Sequence, residues 1–206
     1  MRLIAILILG TLLATPLWSQ EHKGLEAVGE LSEGLIAIKK DGKWGFIDTE
    51  NNMVIDFRDD IVGESYKSSK DRKAPKFKND RCLIMLKKEG IPYYGYIDRT
   101  GKTVIPPQYL NATNFHEGYA LAVKPYKTVR GRNKYLDKEI IQYNFAEELI
   151  DVNGNYVKSL KEMPHILMSE KKFKKPFSSS HFISSKQIAV MTQKEGWQVF
   201  SLDKSL

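Results

Sequence analysis

The chain has 206 residues, 42% apolar and 28% charged, with 32 Lys and Arg against 25 Asp and Glu. That apolar share excludes a wholly disordered chain, and the length suits one domain or a short repeat array. A single cysteine, Cys82, excludes an internal disulfide framework, so a packed core must hold the fold.

The first element in chain order is residues 1–19, where Arg2 precedes the apolar run "LIAILILGTLLATPLW". The run is bounded by Thr15-Pro16, too short for a membrane-crossing helix, and predicts a secretory signal peptide cut near Ser19-Gln20. A retained N-terminal anchor is the alternative. No cysteine follows the run to carry a lipid. The expectation is therefore an exported protein, whether periplasmic, on the outer surface or secreted. Without Arg2, the 32 basic residues fall to 31 against 25 acidic, a net of +6.

Residues 20–206 are expected to form one all-β domain of tandem three-stranded antiparallel meander repeats, about four units. The first, over residues 31–76, opens with "LSEGLIAI" and predicts strands at Leu35–Lys40, Lys43–Asp48 and Met53–Phe57. Asp41-Gly42 between two strand-like runs is a strong hairpin signal. Asp48, with Asn51 three residues on, reads as a second tight turn: the carboxylate accepts from backbone N–H groups ahead of it, and a residue tolerant of positive φ closes the loop. Trp44 and Gly45 lie in the middle strand. Glycine weakens a strand unless something approaches closely, so Gly45 is expected to make room for a neighbour.

The second unit, 77–114, repeats the plan with Tyr94-Gly95, then Asp98 and Gly101, and closes on "PPQY". The third, 115–160, opens with "FHEGYALAV" and reaches Asp151 and Gly154, but carries Glu147 and Glu148 where its predecessors have the aromatic and the glycine. Between Val123 and that turn stands the insert "KPYKTVRGRNKYLDKE". Proline at the first turn of "PHILMSEKKF" predicts a short helix over 164–173. A fourth, weaker copy spans 182–206 with Trp197, but has Gln198 and Ser201 at the glycine and aspartate positions. Divergent end units suit an array, because a terminal repeat faces water. A propeller-like ring and an open array both remain compatible with four such units.

"GKWGFID", "YYGYIDRTGKTVIPPQY" and the "F-x-E-G" entries together resemble the WG (KWG-type) repeats of bacterial proteins. The resemblance implies an exported or membrane-associated repeat protein and brings no catalytic residues with it.

No cofactor motif is present, and His22, His116, His165 and His181 lack metal-ligand spacing. Insertions in repeat arrays often extend the binding face. Lys124, Tyr126, Lys127, Arg130, Arg132, Lys134 and Tyr135 are therefore the candidate binding residues, for a protein or an anionic envelope polymer, with peripheral membrane association compatible. The charge runs Lys67–Lys78 and Lys171–Lys175 read equally as solvated loops. The favoured reading is a non-catalytic binding scaffold. The alternatives are a glycan-cleaving enzyme using Glu117 with Asp98, and a nucleic-acid binder, which the leader opposes.

Overall fold

The computed structural model describes residues 21–68, 70 and 73–202; the leader read over 1–19 lies outside them. Among the described residues the named elements are all β-strands, in four small antiparallel sheets taken in sequence order. The first sheet holds β1 (Ala27–Ser32), β2 (Leu35–Lys40), β3 (Lys43–Ile47) and β4 (Met53–Arg58). The second holds β5 (Cys82–Lys88), β6 (Ile91–Ile97) and β7 (Thr103–Tyr109). The third runs from β8 (Asn111–Ala112) through β9 (Tyr119–Asn133) and β10 (Lys138–Asp151) to β11 (Tyr156–Glu162). The fourth comprises β12 (His181–Ser184), β13 (Gln187–Thr192) and β14 (Gly196–Ser201). Strand β1 extends the first unit upstream of residue 31.

The three Asp turns are built alike. Asn51, Gly101 and Gly154 sit at φ of 65, 82 and 81°, and each donates its N–H to the carbonyl of Asp48, Asp98 or Asp151. In each turn the Asp Oδ1 accepts the N–H groups two and four residues ahead, from Glu50 and Asn52, Thr100 and Lys102, and Asn153 and Asn155. All three carboxyls lie below the ordinary aspartate range. The side-chain hydrogen bond from Asn52 lowers Asp48 most, and that from Thr100 lowers Asp98 most; at Asp151 burial pushes upward and the bonds from Asn155, Asn153 and Gly154 together outweigh it. A depressed folded value means stability that is present above the unfolded aspartate range, about 3.9, and lost as pH falls through the folded value. Asp98→Asn should therefore be less stable than the parent at pH 7, by under about 1 kcal/mol because the group is exposed. The two thermal midpoints should converge as pH falls below the folded value of Asp98. A difference that stays constant with pH would show that the charge contributes nothing.

Gly45 and Gly95 admit the backbone of the third strand. A Cβ on Gly45 would lie 2.9 Å from the Ile55 carbonyl oxygen, and one on Gly95 would lie 2.3 Å from the Ile105 oxygen and 2.7 Å from the Pro107 nitrogen. Both glycines face irregularities in the pairing, where Trp44 opposes Arg58 but Phe46 opposes Ile55, and Tyr94 opposes Tyr109 but Tyr96 opposes Ile105. The extra residues in β4 and β7 arch over the glycine, and Pro106 and Pro107 are accommodated in β7 because a bulge needs no ladder donor there.

Units are joined by a repeated set of contacts. Arg58, held by both Asp60 oxygens (2.8 and 2.6 Å), donates to the Gly101 carbonyl of the next turn, and Tyr109 at the equivalent place donates to the Gly154 carbonyl at 3.3 Å. The entry aromatics pack backwards: Phe77 lies 4.8 Å from Phe46, and Phe115 lies 4.7 Å from Tyr96, between ring centroids. The entry turns Glu33-Gly34, Asn79-Asp80 and Glu117-Gly118 have positive φ at both residues and are also linked. Glu33 accepts the N–H groups of Asn79 and Asp80 at 2.6 and 2.9 Å, and the Asn79 side chain accepts that of Gly118 at 3.0 Å.

The core divides accordingly into three clusters. One joins Leu35, Phe46 and Ile55 to Phe77, Ile84 and Ile97; the next joins Leu83, Tyr96 and Ile105 to Phe115, Ala120 and Ile150; the last joins Leu121, Val123 and Leu149 to Ile188, Val190 and Leu202. Among the described residues no cluster joins β12–β14 to β1–β4. Asn111, within a glycosylation sequon, is fully buried and donates to the carbonyls of Tyr66 and Pro176.

The helix expected over 164–173 does not form. The segment is irregular, with one turn in which Phe173 donates to the Ser169 carbonyl. Met163, Ile166, Met168 and Phe173 all pack against the last core cluster from this irregular chain. That burial outweighs the local helix signal from Pro164.

Candidate binding surfaces

The third unit departs from its own repeat at two adjacent positions on β10, and alternation sends the two side chains to opposite faces. Glu147, fully buried, accepts from the Tyr66 and Ser180 hydroxyls and pairs with the Lys161 ammonium at 3.1 Å. Lys161 is further held by Ser178 and the Met191 carbonyl, both at 3.0 Å. This network ties β10 and β11 to the segments on either side of the unit, so Glu147 is a fastening and is not offered to a ligand.

Glu148 faces the other way, where it accepts from the Tyr126 hydroxyl. Burial raises its carboxyl, against the pull of that bond and of Lys124. Lys124 itself donates to Gln108 and lies 5.0 Å from the Tyr109 ring centroid; burial lowers its ammonium and pushes the Tyr109 phenol up to about 12. Lys124 and Tyr126 are thus engaged within the molecule at the root of the insert, beside an open groove of about 730 Å³ that also includes Tyr143, Tyr156 and Glu162.

Beyond that root the insert is a two-stranded arm. β9 and β10 pair in register from Tyr119 opposite Asp151 to Asn133 opposite Lys138, with one irregularity at Ile140 and Ile141. Residues 126–132 and 134–142 are exposed, so neither face of the arm lies on the core. At about 3.3 Å per residue, residues 126–134 project roughly 25 Å. Five of the seven candidate residues stand here. Arg130 donates to Gln142 at 2.7 Å and Arg132 pairs with Asp137 at 2.8 Å, while Lys127 and Lys134 have no ion pair or side-chain hydrogen bond among the described residues. Tyr135 at the tip is 99% exposed.

A second groove, of about 840 Å³, is bordered by residues from all four units. Lys67, Lys73, Lys76, Lys78, His116 and His181 border it, together with Glu33, Glu117 and Glu64, whose carboxylate accepts the Asn114 N–H. Sequence marked the first four only as a charge run; their meeting with His116 and His181 depends on contacts far apart in the chain. Of the carboxylate pair, Asp98 Oδ1 is occupied within its own turn by Thr100 and Lys102, and Glu117 stands in an exposed entry turn. Among the described residues no group of three or more His, Cys, Asp or Glu is placed to hold a metal ion.

No curated protein and no solved structure matches the chain. A family described as WG containing repeat does match, over residues 25–44, 44–58 and 94–125, which span the first sheet, the Tyr94-Gly95 strand with its Asp98 turn, and the entry into β9. The matched segments fall on sheets that share one turn geometry and one mode of joining, so residues 25–58 and 94–125 carry WG-type repeats.

Proposed function

We propose that this repeat scaffold is non-catalytic and captures an anionic partner outside the cytoplasm, with the arm of β9 and β10 as its capturing element. The carrying observation is the arm itself: between Lys127 and Glu139 it presents five cations, Lys127, Arg130, Arg132, Lys134 and Lys138, against Asp137 and Glu139, all on exposed backbone. Export enters the reading through the sequence of residues 1–19 alone.

Lys127→Glu with Lys134→Glu tests it, because neither side chain has a partner to lose. Chain recovered outside the cytoplasm, with an intact mass placing its N-terminus near Gln20, should bind dextran sulfate and elute earlier as salt rises, since screening weakens exposed charge pairs. The double variant should elute at distinctly lower salt with thermal stability unchanged within about 0.5 kcal/mol. Co-elution of the two proteins would remove the arm from the binding surface.

A further inference from the structure

We infer that the anionic partner of the arm is a lipid surface, and that Tyr135 and Leu136 enter its headgroup region. This rests on the reading of the arm as the anion-binding element and adds the class of ligand.

A ribbon that only met a soluble polyanion would need cations and no apolar side chains. This one exposes Tyr135, Leu136, Val129, Ile140 and Ile141, with Leu136 at 67% and both Val129 and Ile140 at 52%. So many large apolar groups on one projection exceed the scattered exposure of an ordinary surface. The tip is also prepared for a medium of low dielectric. The Asn133 side-chain oxygen accepts the N–H groups of both Tyr135 and Leu136, at 3.0 and 3.1 Å, so the two residues that lead the projection bring no unpaired backbone donor. Asp137, the carboxylate of the tip turn, is neutralised across the hairpin by Arg132 at 2.8 Å, which removes its repulsion from an anionic surface. Lys127, Lys134 and Lys138 have no side-chain partner among the described residues and remain for lipid phosphates. Tyrosine beside a leucine, backed by cations, is a composition suited to the membrane interface, where an aromatic ring and a hydroxyl can each meet their own medium.

The test labels the tip of the full chain. Leu136→Cys takes an environment-sensitive nitrobenzoxadiazole group there selectively, because Cys82 is buried and burial pushes its thiol up. With vesicles containing phosphatidylglycerol the label should shift to the blue and be quenched by lipids brominated near the headgroup; with phosphatidylcholine alone it should not. Tyr135→Ser in the labelled chain should abolish the shift, and Tyr135→Ser/Leu136→Ser in unlabelled chain should weaken partition to the anionic vesicles about tenfold. Unshifted emission on phosphatidylglycerol vesicles overturns the lipid assignment. If dextran sulfate still retains the chain through Lys127 and Lys134, the arm binds a soluble polyanion and only this inference falls. If neither surface is bound, the proposed function falls with it.

Discussion

Gly95→Ala should unfold about 3 kcal/mol more easily than the parent chain in urea, and Gly45→Ala only about 1–2 kcal/mol more easily. The order follows from what each new methyl group meets. At Gly95 it would lie 2.3 Å from the Ile105 oxygen, 2.7 Å from the Pro107 nitrogen and 2.8 Å from the Pro106 carbonyl carbon, all backbone and two of the three belonging to prolines with fixed φ. Relief requires lifting β7 off β6, which would disturb both Ile105 and Tyr109 at the next joint. At Gly45 the backbone contacts are 2.9 and 3.3 Å and the strand carries no proline, so it can shift. Equal costs at the two sites would mean that the arch in β7 is not rigid.

Glu147→Ala should be comparably severe, at about 3 kcal/mol, for an electrostatic reason. It strands the Lys161 ammonium, whose side chain is only 15% exposed, together with the Tyr66 and Ser180 hydroxyls. Lys161 keeps Ser178 and the Met191 carbonyl, which holds the loss below the upper end of the range for a broken buried pair. Adding Lys161→Met should recover at least about 1 kcal/mol, because the second change removes the orphaned charge. If the double variant is no better than the single, the charge is not what the carboxylate serves, and cavity formation is the better account.

The Asp turns were legible in the sequence because their cause is local: a carboxylate, two backbone donors within four residues, and a closing Asn or Gly. The strands around them were legible for the same reason, and so was the open space demanded by Gly45 and Gly95. The joints were not. That Arg58 and Tyr109 occupy one structural position depends on how far β4 and β7 arch, and nothing in "DFRDD" or "PPQYL" states it. Over 164–173 a local signal pointed the wrong way, since Met163, Ile166, Met168 and Phe173 found a core cluster that no local window contains. The insert was legible as a departure from the repeat, but the inward turn of Lys124 and Tyr126 required the register that puts them on the face of Glu148. In the same way, Glu147 and Glu148 were visible as replacements, while their separate roles needed the third dimension.

The contacts linking Arg58 to Gly101 and Tyr109 to Gly154 run from one unit to the next, each joint resembling the one before it. A gene duplication that added a whole unit between two existing ones would therefore replace one junction with two of the same kind. Reach along the array can change in steps of one sheet while the arm, carried on the third unit, keeps its own foundations. For such a molecule the distance between its base and its tip is a heritable variable, set by counting copies and not by redesigning any of them.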